Sequence, residues 1–543
     1  MNERLQGRRG RRWVLGIVVL GALVRIWAPG PTTETYDEPL WLARTDQFVD
    51  ALRSGDLDRA TPGDGRAVTT MPGVTVMWSG AVGRAVAEGA GAVGLIAPVH
   101  GPSTASPAVL RAGRAVEAVA ASLALGALVW IASRLVGARA SLIAGALLAT
   151  DPFLAGHGNL LHTDSLVTMF AALGVVAAMA SVWSTDPAEP RARGALVAVS
   201  GVASALALLT KLNAIPVLAP PLLAIVGVEL VDRIHGGGGR SRRARLRGLA
   251  AGVGGWVLAA SSTALVLWPA LWTSPMTQVE RMRQAAELTT TAAPVAPWAP
   301  LAERRLFVPV SLLVRLTPWM ALAGSVAVLA IAVALVARRW PAAAPRRRVV
   351  ALLVLAPLPY LAYLERQPRV FDRYLLPLWP FLALAIGIVV VQLVEAVRPS
   401  PTVRRSAAAV AVVALAGAAL AVAPYGSAYA DPLVGARRTE AWLSLGWGEG
   451  VERLGQTIER IEGPRCPEVT IAVRYPLRIA LPCGQLVRAD DPRAASVATY
   501  VIVEVRHRQR RTLPIYDLAV RDGRWVETVR IGGVPYAELW RLP

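Results

Sequence analysis

The sequence predicts an all-α polytopic membrane protein that ends in a small α+β domain outside the membrane. Of the 543 residues, 54% are hydrophobic and only 17% are charged, and the mean hydropathy is +0.46. The hydrophobic fraction and the mean hydropathy lie above the values of soluble proteins, and the charged fraction lies below them. Apolar segments long enough to cross a bilayer recur along most of the chain. The C-terminal part instead alternates apolar and polar positions, which is typical of β-strands.

Eleven segments are candidate membrane spans, each with close to the roughly 20 apolar residues that a bilayer requires. In chain order they are 13–29, 115–133, 140–155, 165–183, 194–210, 214–231, 249–268, 318–337, 349–364, 375–395 and 406–424. Two further helices within 71–98 would give thirteen spans and would keep every other loop on the same side.

Basic residues fix the predicted orientation. The net charge is +20, and Lys211 is the one lysine among 57 basic residues. The basic N-terminus "MNERLQGRRGRRW" and five alternate loops, among them "SRLVGAR" and "DRIHGGGGRSRRARLRG", fall on one side, which the positive-inside rule assigns to the cytoplasm. The first span resembles a signal peptide, but no small-residue cleavage site follows it, so we predict an uncleaved anchor. Because the charge is spread over short loops, we do not predict a nucleic-acid partner.

The topology divides the chain into two predicted domains. Residues 1–424 form the membrane domain of a multi-pass cytoplasmic-membrane protein, and its outer loop 30–112 carries interfacial helices. Residues 425–543 form the extracytoplasmic α+β domain, with strands expected at 468–475, 498–506 and 525–533 and a helix at 450–463. Both cysteines, Cys466 and Cys483, lie in this domain, where oxidising conditions permit a disulfide.

Two adjacent acids follow the first span in "TYDEPLW". Pro39 suits the first turn of a helix, and the next residues are amphipathic, with Trp41 and Phe48 on one face. This pattern predicts an interfacial helix on the outer leaflet. Asp37 and Glu38 are then either solvated carboxylates at the positive end of the helix dipole or catalytic acids.

Further charged residues stand at the predicted outer ends of other spans. His162 and Asp164 in "HTDSLVTMF" begin one span, where the acid is either a helix cap or a functional group. Lys211 in "LALLTK" either extends its ammonium group to the membrane surface or contacts an anionic headgroup. Arg366, Arg369 and Arg373 in "RQPRVFDRY" form the most unusual group, since arginine is disfavoured on this side and pairs well with phosphate.

These motifs, in this order, resemble the GT-C superfamily of membrane glycosyltransferases, and most closely its family-39 group. That group contains protein O-mannosyltransferases and lipid A aminoarabinose transferases. The similar segments are "YDE" after the first span, "HTDSLVTMF", "LALLTK", "DRYLLPLWP" and "GWGEGVERL". The resemblance implies transfer of a sugar from a polyprenyl-phosphate carrier on the outer face. The acceptor is a protein, a lipid or an envelope glycan. One departure is "TTMPGVTVMW", which stands where many aminoarabinose transferases carry "HPPL".

The resemblance also implies site residues. Asp37 matches the catalytic acid of the family, Glu38 its neighbour and Asp164 the second acid. A lipid phosphate is a good leaving group, so the reaction needs a base for the acceptor hydroxyl and cations for the phosphate. We therefore expect Asp37 to act as the base in an inverting displacement and Glu38 and Asp164 to position substrates. The expected substrate-binding residues are His162, Lys211, Arg369, Arg373 and Tyr374. No cofactor is required, and a divalent metal is not predicted.

Two other functions remain open at this level. A transporter or flippase for a lipid-linked sugar would place its ionisable groups near the bilayer midplane and would often show inverted repeats. Here the charges lie at the outer rim, and no repeat is visible. A non-catalytic membrane scaffold would explain residues 425–543 but not the rim charges.

Overall fold

A computed structural model describes most of the chain, and the helices it contains follow the predicted spans. The described residues are 5, 7–27, 33–61, 72–184, 190–235, 241–291, 306–337, 345–367, 370–398, 400–510 and 513–543. Each of the eleven predicted segments coincides with a helix or with two consecutive helices. The predicted class, an all-α polytopic membrane protein with a C-terminal α+β domain, is confirmed.

The N-terminal part of the chain holds one long helix, which is the first predicted span, and two helices in the loop that follows it. The bounds are α1 Arg8–Trp27, α2 Glu38–Ser54 and α3 Val74–Ala92. The apolar face predicted for α2 is buried, and the rings of Phe48 and Trp78 pack edge to face at 5.1 Å. The described part of 71–98 contains one helix, so the alternative of thirteen spans is wrong.

The central bundle follows, with short connections between long helices. Its helices are α4 Pro107–Val136, α5 Ala138–Thr150, α6 Pro152–His157, α7 Thr163–Trp183, α8 Pro190–Thr210, α9 Ile215–His235, α10 Arg242–Leu267, α11 Ala270–Thr273 and α12 Pro275–Thr291. Almost every side chain of α7 is buried, which makes it the central helix of the bundle. A helix that is apolar all round suits this position, since it meets neighbours on every side.

The remaining bundle helices are α13 Phe307–Arg315, α14 Pro318–Val336, α15 Pro345–Leu355, α16 Pro357–Leu364, α17 Trp379–Val397 and α18 Pro401–Ala421, and a 3-10 helix, Asp372–Leu378, leads into α17. Within the described ranges, eight segments are long and apolar enough to cross a membrane, and Ala138–Thr150 and Pro318–Ala334 are shorter apolar helices. The first predicted span, α1, carries arginine at four of its first five positions, which lowers its mean hydropathy.

The C-terminal domain contains a five-stranded mixed sheet in the order β2-β1-β3-β5-β4. Its elements are α19 Ala436–Trp442, α20 Val451–Glu462, β1 Thr470–Val473, β2 Gln485–Arg488, α21 Ala494–Val497, β3 Tyr500–Glu504, α22 Val505–Arg510, α23 Pro514–Asp522, β4 Arg524–Ile531 and β5 Val534–Arg541. Strands β1, β2 and β3 are parallel, and the β4–β5 hairpin pairs antiparallel to β3. The predicted helix and three predicted strands are present, and β2 and β5 were not predicted.

The two cysteines of this domain are joined. Cys466 and Cys483 form a disulfide, with Cα atoms 5.7 Å apart, a separation that suits the bond. The bridge ties the 3-10 turn after α20 to the loop before β2 and packs against the sheet core. The sequence permitted this pairing but did not require it.

The C-terminal domain packs directly on the segment between α1 and α2. The Glu34 carboxylate accepts hydrogen bonds from the backbone N–H of Ile479 at 3.0 Å and Ala480 at 3.3 Å. The Tyr36 hydroxyl donates to Glu504 of strand β3. The segment that carries Asp37 is therefore held on one side by the membrane domain and on the other by the C-terminal domain.

Candidate active site

Asp37 lies immediately before α2, and its carboxylate faces the N-terminal end of α7. Its Oδ2 atom lies 3.4 Å from His162 Nε2 and 3.8 Å from Arg373 Nη2. The same oxygen accepts a hydrogen bond from the indole N–H of Trp447 at 3.1 Å. The Asp37 side chain is 36% exposed, so a substrate can reach its free face.

Asp164 lies deeper, in the first turn of α7, and is almost fully buried. Its Oδ1 accepts a hydrogen bond from Lys211 Nζ at 2.6 Å. Its Oδ2 lies 3.2 Å from Arg373 Nε and 3.3 Å from His162 Nδ1. A buried carboxylate is tolerated only with such partners. Arg373 and His162 therefore contact both aspartates.

The imidazole of His162 stands between the two carboxylates, one ring nitrogen towards each. Burial by itself lowers the pKa of His162, but the neighbouring charges of Asp164 and Asp37 outweigh burial and raise the pKa above 6.5. At Asp37, burial raises the pKa, while the hydrogen bond and charge of His162 and the charge of Arg373 lower it to about 2. Asp37 is thus a carboxylate at any physiological pH.

The two permanent cations are held by local breaks in helical structure. Lys211 follows α8 in an extended conformation, with φ −161° and ψ 131°. This break turns its side chain towards Asp164, and its ammonium group lies 4.5 Å from the centre of the Tyr374 ring. Arg373 belongs to the 3-10 helix before α17, and its guanidinium stacks 4.3 Å from the Trp447 ring and 4.4 Å from the Phe371 ring. Stacking fixes the plane of a guanidinium and favours forked phosphate contacts.

The predicted arginine cluster is only partly assembled. Arg373 reaches the two aspartates, whereas Arg366 is exposed and donates to the carbonyl of Ala362 at 3.0 Å. Arg369 lies outside the described residues. Asp372, which could have neutralised the cluster, instead pairs with Arg315 at 2.6 Å. The structure therefore brings Asp37, Asp164, His162, Lys211, Arg373 and Tyr374 together, and we call this set the acid–cation cluster.

Glu38, which was expected to position a substrate, lies away from the acid–cation cluster in the structure. Its carboxylate is fully buried and pairs with Arg114 through both oxygens, at 2.7 and 2.5 Å. It also accepts hydrogen bonds from the backbone N–H of Thr35 at 2.9 Å and of Leu161 at 3.0 Å. With its lone pairs occupied, Glu38 is neither a solvated cap nor a free catalytic acid. It joins the outer loop to α4 and to the segment before α7.

Trp447 is a site residue that was not predicted from the sequence. It lies in "GWGEG", where Gly446, Gly448 and Gly450 have φ values of 89°, 103° and 86°. Residues with a side chain rarely adopt such values, so the three glycines allow a loop that turns the indole towards Asp37. The backbone N–H of Tyr36 also donates to the Trp447 carbonyl at 3.1 Å. The motif, already noted as similar to a family segment, was the available signal.

One family model matches part of the chain. Residues 108–235, which include His162, Asp164 and Lys211, match the family model described as dolichyl-phosphate-mannose-protein mannosyltransferase. The prediction of a glycosyltransferase is confirmed. The predicted resemblance to protein mannosyltransferases is confirmed by the same match. No match was found among curated protein sequences.

Solved structures of two glycosyltransferases are similar over most of the chain. ArnT from Cupriavidus metallidurans, bound to undecaprenyl phosphate, is 15% identical, with 97% of each chain covered and a TM-score of 0.49. The archaeal oligosaccharyltransferase AglB from Archaeoglobus fulgidus, in complex with an inhibitory peptide and a dolichol-phosphate, is 11% identical. The match covers 96% of this chain and 73% of that one, with a TM-score of 0.44.

In the part of the chain that the structure describes, no group of three or more histidine, cysteine, aspartate or glutamate side chains is arranged to hold a metal ion. His162 and the two aspartates are each engaged with cations or with one another. Transfer without a metal stays a prediction, which activity in the presence of a chelator would test.

Replacement of Glu38 should affect stability more than chemistry. In Glu38→Gln the Arg114 guanidinium loses its buried counter-charge, and we expect a loss of about 3–5 kcal/mol in the free energy of unfolding. Glu88→Gln is the matched control, because Glu88 pairs with Arg84 and Arg53 near the surface and is 33% exposed. That change should cost less than about 1 kcal/mol. Unfolding in detergent measures both, and equal losses would contradict the structural role of Glu38.

Proposed function

We propose that the protein transfers a sugar from a polyprenyl-phosphate carrier to an acceptor hydroxyl on the outer face of the membrane, with inversion at the anomeric carbon. The observation that carries this proposal is the acid–cation cluster. It places one accessible carboxylate, that of Asp37, beside a buried carboxylate whose partners are the cations Lys211 and Arg373. The cluster stands at the ends of membrane helices, where the phosphate of a lipid carrier would lie.

The cations would receive the carrier phosphate. Lys211 and Arg373 hold their charges near Asp164 without a donor present, and a phosphate has the charge and the oxygen geometry to bind the same groups. As the bond between the anomeric carbon and phosphate oxygen breaks, negative charge grows on the phosphate. Cations already fixed by Asp164 and by the Trp447 ring stabilise that charge without reorganising.

Asp37 would accept the acceptor proton. A carboxylate with a pKa near 2 is a weak base, so proton transfer follows rather than precedes bond formation to the anomeric carbon. The hydroxyl oxygen forms the new glycosidic bond, the phosphate leaves with the bonding electron pair, and the hydroxyl proton passes to Asp37. One direct displacement of this kind inverts the configuration. The acceptor is a protein, a glycolipid or an envelope glycan.

The function is tested with purified protein in liposomes that contain a labelled polyprenyl-phosphate sugar. A panel of carrier-linked hexoses and pentoses is offered with peptide, lipid and glycan acceptors. We expect release of polyprenyl phosphate together with a new glycoside, at a rate that depends on Asp37. Movement of the intact labelled carrier between leaflets, without cleavage, would instead support a flippase.

Trp447 should tune the reactivity of Asp37. Trp447→Phe keeps an aromatic ring for Arg373 but removes the N–H that donates to Asp37. We expect kcat to fall by roughly tenfold, in line with one lost charge-assisted hydrogen bond, with the KM for the donor unchanged. Trp447→Ala also removes the ring and should raise the donor KM. Steady-state kinetics of the two variants separate the roles, and equal KM values for both would refute the stacking role.

The pH dependence of kcat/KM for the donor should follow the protonation of His162. Because the pKa of His162 is raised, the imidazolium persists above pH 6.5 and adds positive charge to the phosphate site. As the pH rises through that pKa, this charge is lost, and kcat/KM for the donor should fall. The same shift stabilises the fold below the unfolded pKa, and that stability is lost as the pH rises through the folded pKa. His162→Gln should abolish this alkaline limb, and an unchanged profile would refute the assignment.

A further inference from the structure

We propose that the ends of α7–α10 remote from the acid–cation cluster bind one anionic phospholipid of the surrounding bilayer. One acyl chain would fill a cavity among these helices, and the phosphate would lie at the arginine-rich start of α10. This site is distinct from the one that would hold the carrier phosphate. It does not depend on the proposed function, and its occupant is identified by its charge and shape.

The cavity is large and apolar. It has a volume of about 380 Å³ and is lined by the last turns of α7, the first turns of α8, residues 219–233 of α9 and residues 248–257 of α10. Residues from the last three helices form much of its wall, namely Val197, Leu222, Val226, Gly252, Val253 and Trp256. Volumes of roughly 300–1,000 Å³ are typical of ligand pockets.

Polar groups near this wall are already satisfied by one another. The Ser200 hydroxyl donates to the carbonyl of Gly174 at 2.8 Å and accepts from Trp256 Nε1 at 3.1 Å. The Ser181 hydroxyl donates to the carbonyl of Ala178 at 2.8 Å. A polar ligand would therefore find no unused partner there. A hydrocarbon chain fits, because it needs none and supplies the contacts that an empty apolar space lacks.

The rim of the cavity is positively charged. The Glu229 carboxylate accepts from Arg193 Nη2 at 3.0 Å and from Arg233 Nε at 2.7 Å, so two guanidinium groups share one acid. This arrangement leaves one net positive charge at the mouth. A lipid whose chain enters the cavity would place its headgroup beside this rim.

The start of α10 lies beside this rim, because Arg233 Nη1 donates to the carbonyl of Arg245 at 2.6 Å. Arg242, Arg243 and Arg247 are exposed, and none of the three makes an ion pair with an acid among the described residues. They stand at the positive end of the α10 dipole, where cations are disfavoured and anions are stabilised. Ser241 caps the helix by accepting from the N–H of Ala244 at 3.3 Å. A phosphate group at this end would complement both the dipole and the arginines.

The two lipid sites lie at opposite ends of the same helix. Lys211 follows the last residue of α8, whereas Arg193 lies in its first turn. At 1.5 Å per residue, the 18 positions from Arg193 to Lys211 correspond to roughly 27 Å, close to the thickness of a hydrocarbon core. A carrier phosphate at Lys211 therefore leaves the rim arginines to a second headgroup, in the other leaflet.

Helix α10 is the helix whose packing the bound lipid would improve most. It has no buried residue along its 26 residues, although it packs beside α8. An acyl chain in the cavity would cover its inner face and bridge it to α9. Occupancy should therefore raise the thermal stability of the protein, as for any ligand that binds only the folded state.

Two glycines of α10 provide a matched test of the chain position. Gly252 lines the cavity and Gly254 does not, and a Cβ at either position meets no atom within 4 Å. Gly252→Leu should fill the cavity and weaken binding of phosphatidylglycerol by at least about tenfold in native mass spectrometry of the full protein. Gly254→Leu, which makes the same change on another face of α10, should bind as the wild type does. Equal binding by both variants would overturn the proposal.

Replacement of the exposed arginines at the start of α10 tests the proposed position of the headgroup phosphate. The triple variant Arg242→Gln, Arg243→Gln, Arg247→Gln should lose the preference for phosphatidylglycerol over phosphatidylcholine and the thermal shift that phosphatidylglycerol produces. Arg8→Gln, Arg11→Gln, Arg12→Gln removes the same charge from the start of α1 and should keep both. Undecaprenyl phosphate forms the third arm. If it displaces phosphatidylglycerol from the wild type and is weakened by Gly252→Leu, the cavity belongs to the carrier and the proposal is wrong.

Discussion

Asp37→Asn should reduce the transfer rate by between about 10² and 10⁴, the range expected when a general base is removed. The amide keeps the size of the side chain and its hydrogen bond with Trp447, but it cannot take the acceptor proton. The loss should appear in kcat. Binding of the carrier should be unchanged or tighter, because Arg373 loses a competing carboxylate 3.8 Å away. Single-turnover transfer in liposomes measures the rate.

Asp50→Asn is the control for this variant. Asp50 is an exposed acid on α2, the helix that Asp37 precedes. Its replacement removes the same charge from the same segment without touching the acid–cation cluster. Normal transfer by Asp50→Asn and loss in Asp37→Asn would locate the effect at the cluster. Full activity of a well-folded Asp37→Asn protein would eliminate Asp37 as the base.

Arg373→Gln should lower kcat/KM for the donor by about 10²–10³, as expected when one group that stabilises a developing anion is removed. The change removes a guanidinium that contacts both aspartates and stacks on Trp447. Arg373→Lys keeps the charge but loses the planar fork and the stacking, so it should recover only part of the activity. Steady-state kinetics with varied donor concentration separate binding from turnover.

Arg366→Gln provides the comparison for Arg373. Arg366 comes from the same outer segment, but it is exposed and its contact is with the carbonyl of Ala362. Its neutralisation should leave kcat/KM within about twofold of the wild type, as is usual for a surface charge. A similar loss in both variants would indicate a general effect of charge on the membrane surface rather than a phosphate contact.

The membrane helices and half of the acid–cation cluster could be predicted from local sequence. Long apolar segments determine helices in a bilayer, because every backbone polar group must be satisfied within the segment. A charged residue at the end of such a segment costs free energy, so it indicates a functional group even when the sequence is considered alone. Asp164, Lys211 and Arg373 were identified in this way. The choice of Asp37 depended on the family resemblance as well.

Features that depend on distant contacts could not be predicted. Asp37 and Glu38 are adjacent, and what separates their roles is Arg114, 76 residues from Glu38. Trp447 is 410 residues from Asp37 and carries no charge that would mark it. Strand β5 contains Pro535, which argues against a strand when the sequence is examined alone. In the sheet, Pro535 pairs at the irregular end of the β4–β5 hairpin.

The most direct test of the account is the equilibrium affinity of the purified protein for a polyprenyl phosphate, compared among the wild type, Asp37→Asn and Arg373→Gln. Because Asp37 takes the proton and the cations bind the phosphate, we expect Asp37→Asn to bind at least as tightly as the wild type. Arg373→Gln should bind at least about tenfold more weakly. Weaker binding by Asp37→Asn with unchanged binding by Arg373→Gln would contradict the account.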